Sequence, residues 1–389
     1  MKRRLKSPAK RVAAVIGFLA CASSAAAADE PAPARHPWSW SIVYKADVLG
    51  STAPGGFAAM DNLDGQVDMD AAVLWGWDDT TLHGEFLANH GGKLNRRVGT
   101  LQGLSNIEVS QNSGRLYATW IEHQFKSTQT RVLVGLYDVN SEFYATDASG
   151  MLINPSFGIG IDFSQTGQNG PSIFPNLGLG VRIRQPVGEG GYFQLAALDG
   201  APGDPDHPGR TVVRLRRSDG ALLVAEGGWQ QPGESGSRPG HWGVGLWQYT
   251  RPAPAIAGGP PQRNQGVYAL AQGLLTKSGG GRSTGFVRAG AARRDVNSVD
   301  GALDAGVLVA SPLGERGPRA LTAGVAIAHL GHPADPSFRH ETTFEIDARW
   351  QPWPILAVQP SFQWICHPNG RAGSAAVAGL RVEWTLEPK

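Results

Sequence analysis

The chain has 389 residues, with 35 Lys and Arg against 33 Asp and Glu, 52 Gly, 12 Trp and 2 Cys, and a formal net charge of +2. With 41% apolar and 17% charged residues it is neither a disordered chain nor a coiled coil, and its glycines lack the three-residue period of collagen. The length allows two or three soluble domains or one large β architecture, and the many Gly, Trp and Pro residues favour the second.

Residues 1–28 have the pattern of a secretory signal peptide. Six positive charges precede an apolar stretch from Val12 to Ala20, and Ala26-Ala27-Ala28 supplies a small-residue cleavage site. Lipoprotein cleavage before Cys21 is the rival reading, but the residues that precede this cysteine do not fit a lipobox. We therefore expect a mature chain from residue 29, with 29–37 as a short periplasmic segment before a single domain at 38–389.

The mature chain carries 29 basic and 33 acidic residues, so the basic character of the full sequence comes from the signal. No mature segment reaches the roughly 18 apolar residues that a membrane helix needs. No cluster of Lys and Arg favours nucleic acid. Cys366 is the single mature cysteine, which excludes an internal disulfide.

Hydrophobicity alternates with a period of two along most of the mature chain. In residues 340–350 one parity is mainly apolar and the other carries four charges, at Glu341, Glu345, Asp347 and Arg349. Similar runs begin near residues 38, 67, 356 and 376, and several have ten or eleven residues, the length of a tilted strand that crosses a bilayer. Tryptophans near the run ends predict interfacial girdles. A soluble β-sandwich with tryptophans in its core is the alternative.

Seventeen candidate strands can be counted, whereas a closed antiparallel barrel with both termini on one side needs an even number. Long and short connections alternate, with long ones at 49–65 and 90–113. The alternation fails between 231 and 264, so the error is expected nearby, in the division of 210–230 into strands at 210–217 and 220–230. The prediction is an all-β transmembrane barrel of about 16 strands.

The longest connection, residues 139–175, has no clear period and contains no Lys or Arg. A loop of this length in a compact architecture is usually functional. In a barrel wide enough to hold water it can fold inward and narrow the pore, so we expect an inward-folded constriction loop. An outward-facing surface loop is the alternative.

Several strings along the chain resemble one family. They are Gln102-Gly103-Leu104-Ser105-Asn106-Ile107-Glu108, Arg115-Leu116-Tyr117 with Trp120 and Glu122, Gly135 to Phe143, Phe286 to Gly290, and a C-terminal set from Glu341 to Gly370. In this order they resemble the OprB-type carbohydrate-selective porins of Gram-negative outer membranes. The resemblance implies a sixteen-stranded barrel in the outer membrane that admits sugars and small polyols by passive diffusion. Its expected partners are these solutes and membrane lipid, without nucleic acid; homotrimers are common among porins.

No motif points to bond-making chemistry, and we expect no enzyme, no catalytic residue, no metal and no cofactor. Gly281-Arg282-Ser283-Thr284-Gly285 matches a nucleophile elbow but opens a period-two run rather than a strand-to-helix turn. His340-Glu341 lacks the second histidine of a zinc motif, since Phe344 takes its place. Asp204, Asp206 and His207 lie in a Gly/Pro-rich connection, where acids are far more often solvated than bound to calcium.

If the apolar parity faces lipid, charged side chains line the interior, because a charge on the lipid face costs several kcal/mol. The predicted pore-lining residues are Asp68, Asp70, Glu85, Arg115, Arg182, Arg184, Glu341, Glu345, Asp347, Arg349, Arg381 and Glu383. The residues predicted to line or anchor the constriction loop are Asn106, Glu108, Asn140 and Glu142. Mixed charges would replace the water that a neutral, hydroxylated sugar loses. A general or ion-selective porin, whose charges only keep the pore wet, is the alternative, and an outer-membrane hydrolase is a more distant one.

Overall fold

The structure is a computed structural model that describes residues 37–53, 55–231, 240–278, 281–312, 317–333 and 335–388, with only the backbone at 277, 278 and 281. The predicted signal peptide, 1–28, and the predicted periplasmic segment except Pro37 lie outside the described residues.

The described residues form sixteen antiparallel strands in one closed sheet, in which neighbours in sequence pair and the first strand pairs with the last. The strands are β1 (Trp38–Ser51), β2 (Gly56–Asp70), β3 (Thr80–Gly91), β4 (Ser113–Phe125), β5 (Thr130–Tyr137), β6 (Gly178–Val187), β7 (Gly191–Asp199), β8 (Ala221–Gln230), β9 (His241–Tyr249), β10 (Gln265–Ser278), β11 (Gly281–Ala292), β12 (Val299–Ala310), β13 (Ala320–Leu330), β14 (His340–Trp353), β15 (Leu356–Cys366) and β16 (Ser374–Leu386). Closure satisfies every strand edge, as a barrel in lipid requires. The predicted transmembrane barrel of about 16 strands is confirmed.

Helical structure is confined to connections. Three short α-helices are α1 (Ala71–Trp75), α2 (Leu94–Val98) and α3 (Ile161–Ser164), and 3-10 turns include Val139–Ser141, Ser149–Met151 and Pro155–Phe157. None of the helices in the described residues is long and apolar enough to span a membrane.

The two ends of the barrel differ. The end that carries the start of β1 and the end of β16, the terminal end, has connections such as 126–129, 188–190 and 354–355. The opposite end, the loop end, has the longest connections, 92–112, 138–177, 200–220 and 250–264. Short periplasmic turns and longer extracellular loops are the rule for outer-membrane barrels, so the loop end faces outward from the cell.

The predicted connection at 49–65 is wrong, because β2 begins at Gly56 and pairs with β1 through the whole region. The period-two signal is weak there because the inward parity carries the apolar Ala58 and Met60, which pack on an inserted segment, while the outward parity carries Asp61. The alternation that begins near residue 67 continues in the sequence to Trp75, but the strand ends at Asp70. Asp70 caps α1 instead, accepting a hydrogen bond from the Ala72 amide at 2.9 Å.

The candidate strand at 210–217 is the surplus one, since the described barrel has no strand there and β8 begins at Ala221. The expected error therefore lies in the region identified, but 210–230 is not one long strand. Residues 211–216 alternate like a strand without pairing to a neighbour.

The outer face of the barrel is apolar. Exposed outward residues include Ile42, Leu63, Phe86, Val134, Val181, Leu223, Leu246, Val267, Phe344, Ile346 and Phe362. The tryptophans near the terminal end are exposed as well, at Trp38, Trp40, Trp75, Trp77, Trp350, Trp353 and Trp384. Rings at this level suit the headgroup region of a bilayer.

Candidate functional site: a lumen with two inserted segments

Two connections from the loop end lie against the inner wall. We call residues 94–109 the first inserted segment and residues 138–177 the second. They contact each other: the Asn106 amide donates to the Ile153 carbonyl at 2.8 Å, and the Asn154 side chain donates to the Gly103 carbonyl at 2.8 Å. Gly103 has φ +81, and a Cβ there would lie 2.4 Å from Pro155 Cγ, so only glycine permits this approach.

Acidic side chains of β14 hold both inserted segments. The Glu341 carboxylate accepts hydrogen bonds from the Leu101 and Gln102 amides, each at 2.8 Å. The Glu345 carboxylate accepts from the Ile153 amide at 2.7 Å and from the Asn154 amide. Charged acceptors make strong hydrogen bonds to amides. These two predicted pore-lining residues are therefore buried anchors in this structure.

The seam between the first and last strands carries a buried ion pair. Arg381 on β16 donates to Asp47 on β1 through two hydrogen bonds of 2.7 Å each. Arg381 also donates to Asn106 Oδ1 at 2.7 Å, and the Ser105 hydroxyl donates to Asp47 at 2.6 Å. The same ion pair therefore connects the two strands that close the barrel and holds the first inserted segment in place.

On the opposite side of the wall, Arg288 on β11 holds the second inserted segment. The Arg288 side chain is fully buried. Its guanidinium donates to the carbonyls of Ser156 at 2.6 Å, Gly158 at 2.7 Å and Tyr144 at 3.2 Å, and pairs with Asp304 at 3.0 Å. Unsatisfied backbone carbonyls inside a protein are costly, so Arg288 fixes the path of this stretch.

Glu226 on β8 is a second anchor on this side. It accepts from the Tyr144 amide at 3.0 Å and from the hydroxyls of Tyr192 and Tyr268, each at 2.8 Å. Stacked rings add apolar contact: Tyr144 with Tyr268 at 4.2 Å, and Phe163 with Trp247 at 4.9 Å.

Arg182 on β6 lies between two acids, with Nη2 at 2.5 Å from Glu122 and Nε at 2.6 Å from Glu142. Burial opposes ionisation of Glu142, but Arg182 and Arg184 outweigh it and lower its pKa below the ordinary value. Arg184 donates to Gln194 at 2.5 Å and lies over the Tyr192 ring.

The remaining residues predicted for the constriction loop make local contacts. Asn140 donates to the carbonyls of Phe143 and Gly158, at 3.3 and 3.1 Å. Glu108 accepts from the Asn95 amide at the start of α2, and burial raises its pKa. These contacts fit loop anchoring; whether any of these residues touches a solute stays a prediction.

Arg115 and Asp347 also bond near the inserted segments. Arg115 donates to the Pro175 carbonyl at 2.7 Å and to Pro208 at 2.8 Å, which ties two loop-end connections to β4. Asp347 accepts from Gln359 at 2.8 Å, and Gln359 donates onward to the Met151 carbonyl.

Some inward side chains of the wall bond to each other instead of to an inserted segment. On β2 and β3, His83 Nδ1 lies 2.8 Å from Asp68 and its Nε2 lies 3.6 Å from Glu85. Across β14 and β16, Arg349 pairs with Glu383 at 2.5 Å. All four charged residues keep some exposed side chain. We call these five residues, Asp68, His83, Glu85, Arg349 and Glu383, the open wall.

Trp120 on β4 lies beside the open wall. Its ring stacks on His83 with centroids 4.7 Å apart and planes 11° apart. The inward-facing strand aromatics elsewhere in the described residues are buried, whereas Trp120 is partly exposed. Gly135 on β5 faces it with φ +152, and a Cβ there would lie 2.6 Å from the Trp120 Cβ. This glycine permits the close approach of β5 to the backbone of Trp120.

Asp162 in α3 titrates near neutral pH. Burial and, to a lesser degree, the Asp304 carboxylate raise its pKa to about 7, although the Tyr144 hydroxyl donates to Oδ1 at 3.2 Å. A raised folded-state pKa means that the protonated acid favours the folded segment. This contribution is complete below the ordinary value of 3.8 and is lost as pH rises through about 7.

We therefore expect the amides of residues 157–166 to lose hydrogen-exchange protection, corrected for intrinsic rates, by at least about tenfold from pH 5 to pH 8. An Asp162→Asn variant should abolish this loss, because the amide stays neutral. The exposed Asp335→Asn is the matched control and should behave as the parent chain. Equal pH dependence in parent and Asp162→Asn proteins would refute the assignment.

The remaining chemical motifs of the sequence can be placed in the structure. In the described residues, no group of three or more His, Cys, Asp and Glu could hold a metal ion. Asp204 pairs with Arg214 at 3.0 Å and with His207 at 3.1 Å. The G-x-S-x-G string lies in β11, which pairs regularly with β12, and not at a strand-to-helix turn.

A closed, apolar-coated barrel with a polar, partly filled lumen is the architecture of an outer-membrane channel. The family described as carbohydrate-selective porin, OprB family, matches residues 55–386, and the chain belongs to it. A search of curated proteins returned no match.

Among solved structures, the high-pH structure of Pseudomonas putida OprB has a TM-score of 0.73 at 17% identity, covering 90% of this chain and 94% of that one. The outer-membrane channel DcaP of Acinetobacter baumannii has a TM-score of 0.54 at 11% identity, covering 90% and 96%. An anion-selective porin from Comamonas acidovorans has a TM-score of 0.55 at 9% identity, covering 90% and 99%. At these identities the likeness concerns the fold.

Proposed function

We propose that sugars and small polyols cross the outer membrane passively through the space between the open wall and the two inserted segments, with 139–175 as the constriction loop. The observation that carries this proposal is the mixed charge of the lumen beside a partly exposed tryptophan. A neutral sugar needs paired donors and acceptors in place of lost water, and each contact must stay weak enough for exit. The proposal includes no catalysis and takes residues 1–28 as the cleaved export signal.

Liposome swelling with the purified chain tests this function. Glucose and a polyol should enter faster than an amino acid of similar size, and gluconate should enter more slowly than glucose. Equal rates for glucose and the amino acid would indicate a general diffusion porin. Faster entry of gluconate would indicate an anion-selective one.

Trp120 is expected to stack on the apolar face of a sugar in transit, with His83 behind it. A Trp120→Ala change should weaken sugar-induced block of ion current by roughly two- to tenfold, since an aromatic contact contributes about 0.5–1.5 kcal/mol. Current noise analysis with glucose measures the binding constant of the sugar in the channel. Trp242→Ala, which removes an exposed tryptophan from the outer face, is the control and should leave it unchanged. An unaltered constant in Trp120→Ala would contradict the stacking role.

A further inference from the structure

The connection between β7 and β8 contains a ribbon, residues 210–217, that the proposed channel does not use. Its sequence alternates apolar and basic residues, with arginines at 210, 214, 216 and 217. No strand pairs with it, so an alternating pattern that elsewhere builds the wall here remains unpaired.

The ribbon begins beside β4 near the loop end, at the rim of the wall. The Thr211 hydroxyl donates to the Leu116 carbonyl at 2.6 Å, above the point where β4 ceases to pair with β5. Leu136 shares the outward parity of Val134 but is only 7% exposed, and it lines a small cavity together with Thr211 and Val212. Leu136 also packs with Tyr117 and Leu177, so the ribbon lies beside the rim of the barrel at the end of β5.

The apolar side chains farther along the ribbon are uncovered. Val213 is 53% exposed and Leu215 is 65% exposed, and the outward residue Leu116, whose carbonyl accepts from Thr211, is exposed as well. Apolar side chains of the ribbon thus lie close to the surface that meets lipid tails.

Three of the four arginine charges are uncompensated within the described residues. Arg214 pairs with Asp204 at 3.0 Å. Arg210, Arg216 and Arg217 are exposed, and within the described ranges none of them has an ion-pair partner. Three free guanidinium groups at the outward rim of a membrane barrel favour an anionic partner, and the planar fork of arginine suits phosphate oxygens.

We propose that residues 210–217 bind a phosphorylated lipid headgroup of the outward-facing leaflet. Arg210, Arg216 and Arg217 hold the phosphate oxygens, and Val213 and Leu215 contact the acyl region. A basic face beside apolar side chains is the pattern by which peripheral segments bind anionic membrane surfaces. This inference does not depend on the proposed sugar permeation.

Native mass spectrometry of the detergent-solubilised full chain, titrated with dioleoyl phosphatidic acid, tests the proposal. The Arg210→Gln/Arg216→Gln/Arg217→Gln variant should bind phosphatidic acid at least about tenfold more weakly than the parent chain. An Arg251→Gln/Arg339→Gln/Arg371→Gln variant, which removes three exposed arginines from other loop-end connections, should bind it as the parent does. Phosphatidylcholine should bind all three proteins alike.

A Val213→Ser/Leu215→Ser variant separates a lipid from free phosphate, because only a lipid needs the apolar contacts. Weaker phosphatidic acid binding by this variant supports the proposal. Equal binding by the parent and triple-arginine proteins overturns it. Displacement of phosphatidic acid by inorganic phosphate, with no effect of the serine changes, also overturns it. If the triple variant does not fold, Arg216→Gln/Arg217→Gln, in an exposed turn, serves instead. Liposome swelling should be unchanged in every variant.

Discussion

An Arg381→Met variant is expected to unfold at markedly lower urea concentration than the parent chain, with a loss of about 3–5 kcal/mol in the free energy of unfolding. The change leaves the Asp47 carboxylate, which is fully buried, without its cationic partner. It also breaks the hydrogen bond to Asn106 at the seam where β16 closes on β1. The shift in electrophoretic mobility of the folded barrel, followed against urea, measures the loss.

The matched control is Arg293→Met, whose pair with Asp295 is exposed by 35% and 57%. Exposed pairs contribute about 1 kcal/mol or less, so this variant should unfold close to the parent. An Asp47→Leu/Arg381→Met double variant should recover much of the stability, because an apolar pair can replace a buried ion pair. Equal losses in the free energy of unfolding in the two single variants would show that the buried Asp47–Arg381 pair contributes no more than an exposed pair.

An Arg288→Gln variant is expected to open the channel. The shorter amide cannot reach the three carbonyls of the second inserted segment and leaves Asp304 buried without a charge partner. A cost of about 3 kcal/mol shifts the equilibrium for local release by roughly a hundredfold. Single-channel conductance should therefore rise, and a trisaccharide should enter liposomes faster than through the parent chain.

Arg282→Gln, on the same strand and the same parity, provides the control and should leave conductance and size limit unchanged. Hydrogen exchange over 138–177 reports release independently of ion flow. Release of the segment without any rise in conductance would mean that this segment does not limit the pore.

Much of the barrel could be predicted because lipid imposes one strict rule on the outer face. Along β9, Trp242, Val244 and Leu246 are exposed while the residues between them are buried, and the sequence shows the same alternation. The pattern is lost where the inward face carries apolar residues and the outward face carries a charge. On β2, Asp61 faces outward and Met60 packs inward, so the period disappears from the sequence.

The surplus strand at 210–217 has a different cause. Alternation reports that one side of an extended chain meets an apolar phase, and it carries no information about pairing. In the ribbon, the exposed Val213 and Leu215 alternate with arginines, so the sequence has the pattern of a strand although no strand pairs with it.

The sequence predicted which side chains of the wall point inward, but it did not predict which groups they bind. Parity indicated that Glu341 and Glu345 point inward, but nothing in their spacing indicated that both accept hydrogen bonds from inserted backbone. Arg288 was missed as an anchor because it shares its parity with the buried Phe286, so that face of β11 has no uniform character. Contacts between residues more than a hundred positions apart leave no periodic trace in one sequence.

The central claim is that one parity of the strands faces lipid and the other faces a water-filled lumen. It can be tested by fluorophore labelling in lipid vesicles of Gln66→Cys on the inner face and Leu246→Cys on the outer face, each with Cys366→Ser. The label at position 66 should be quenched by iodide and not by brominated lipid, and the label at position 246 should show the reverse. Quenching of both labels by iodide alone would contradict this arrangement of the barrel.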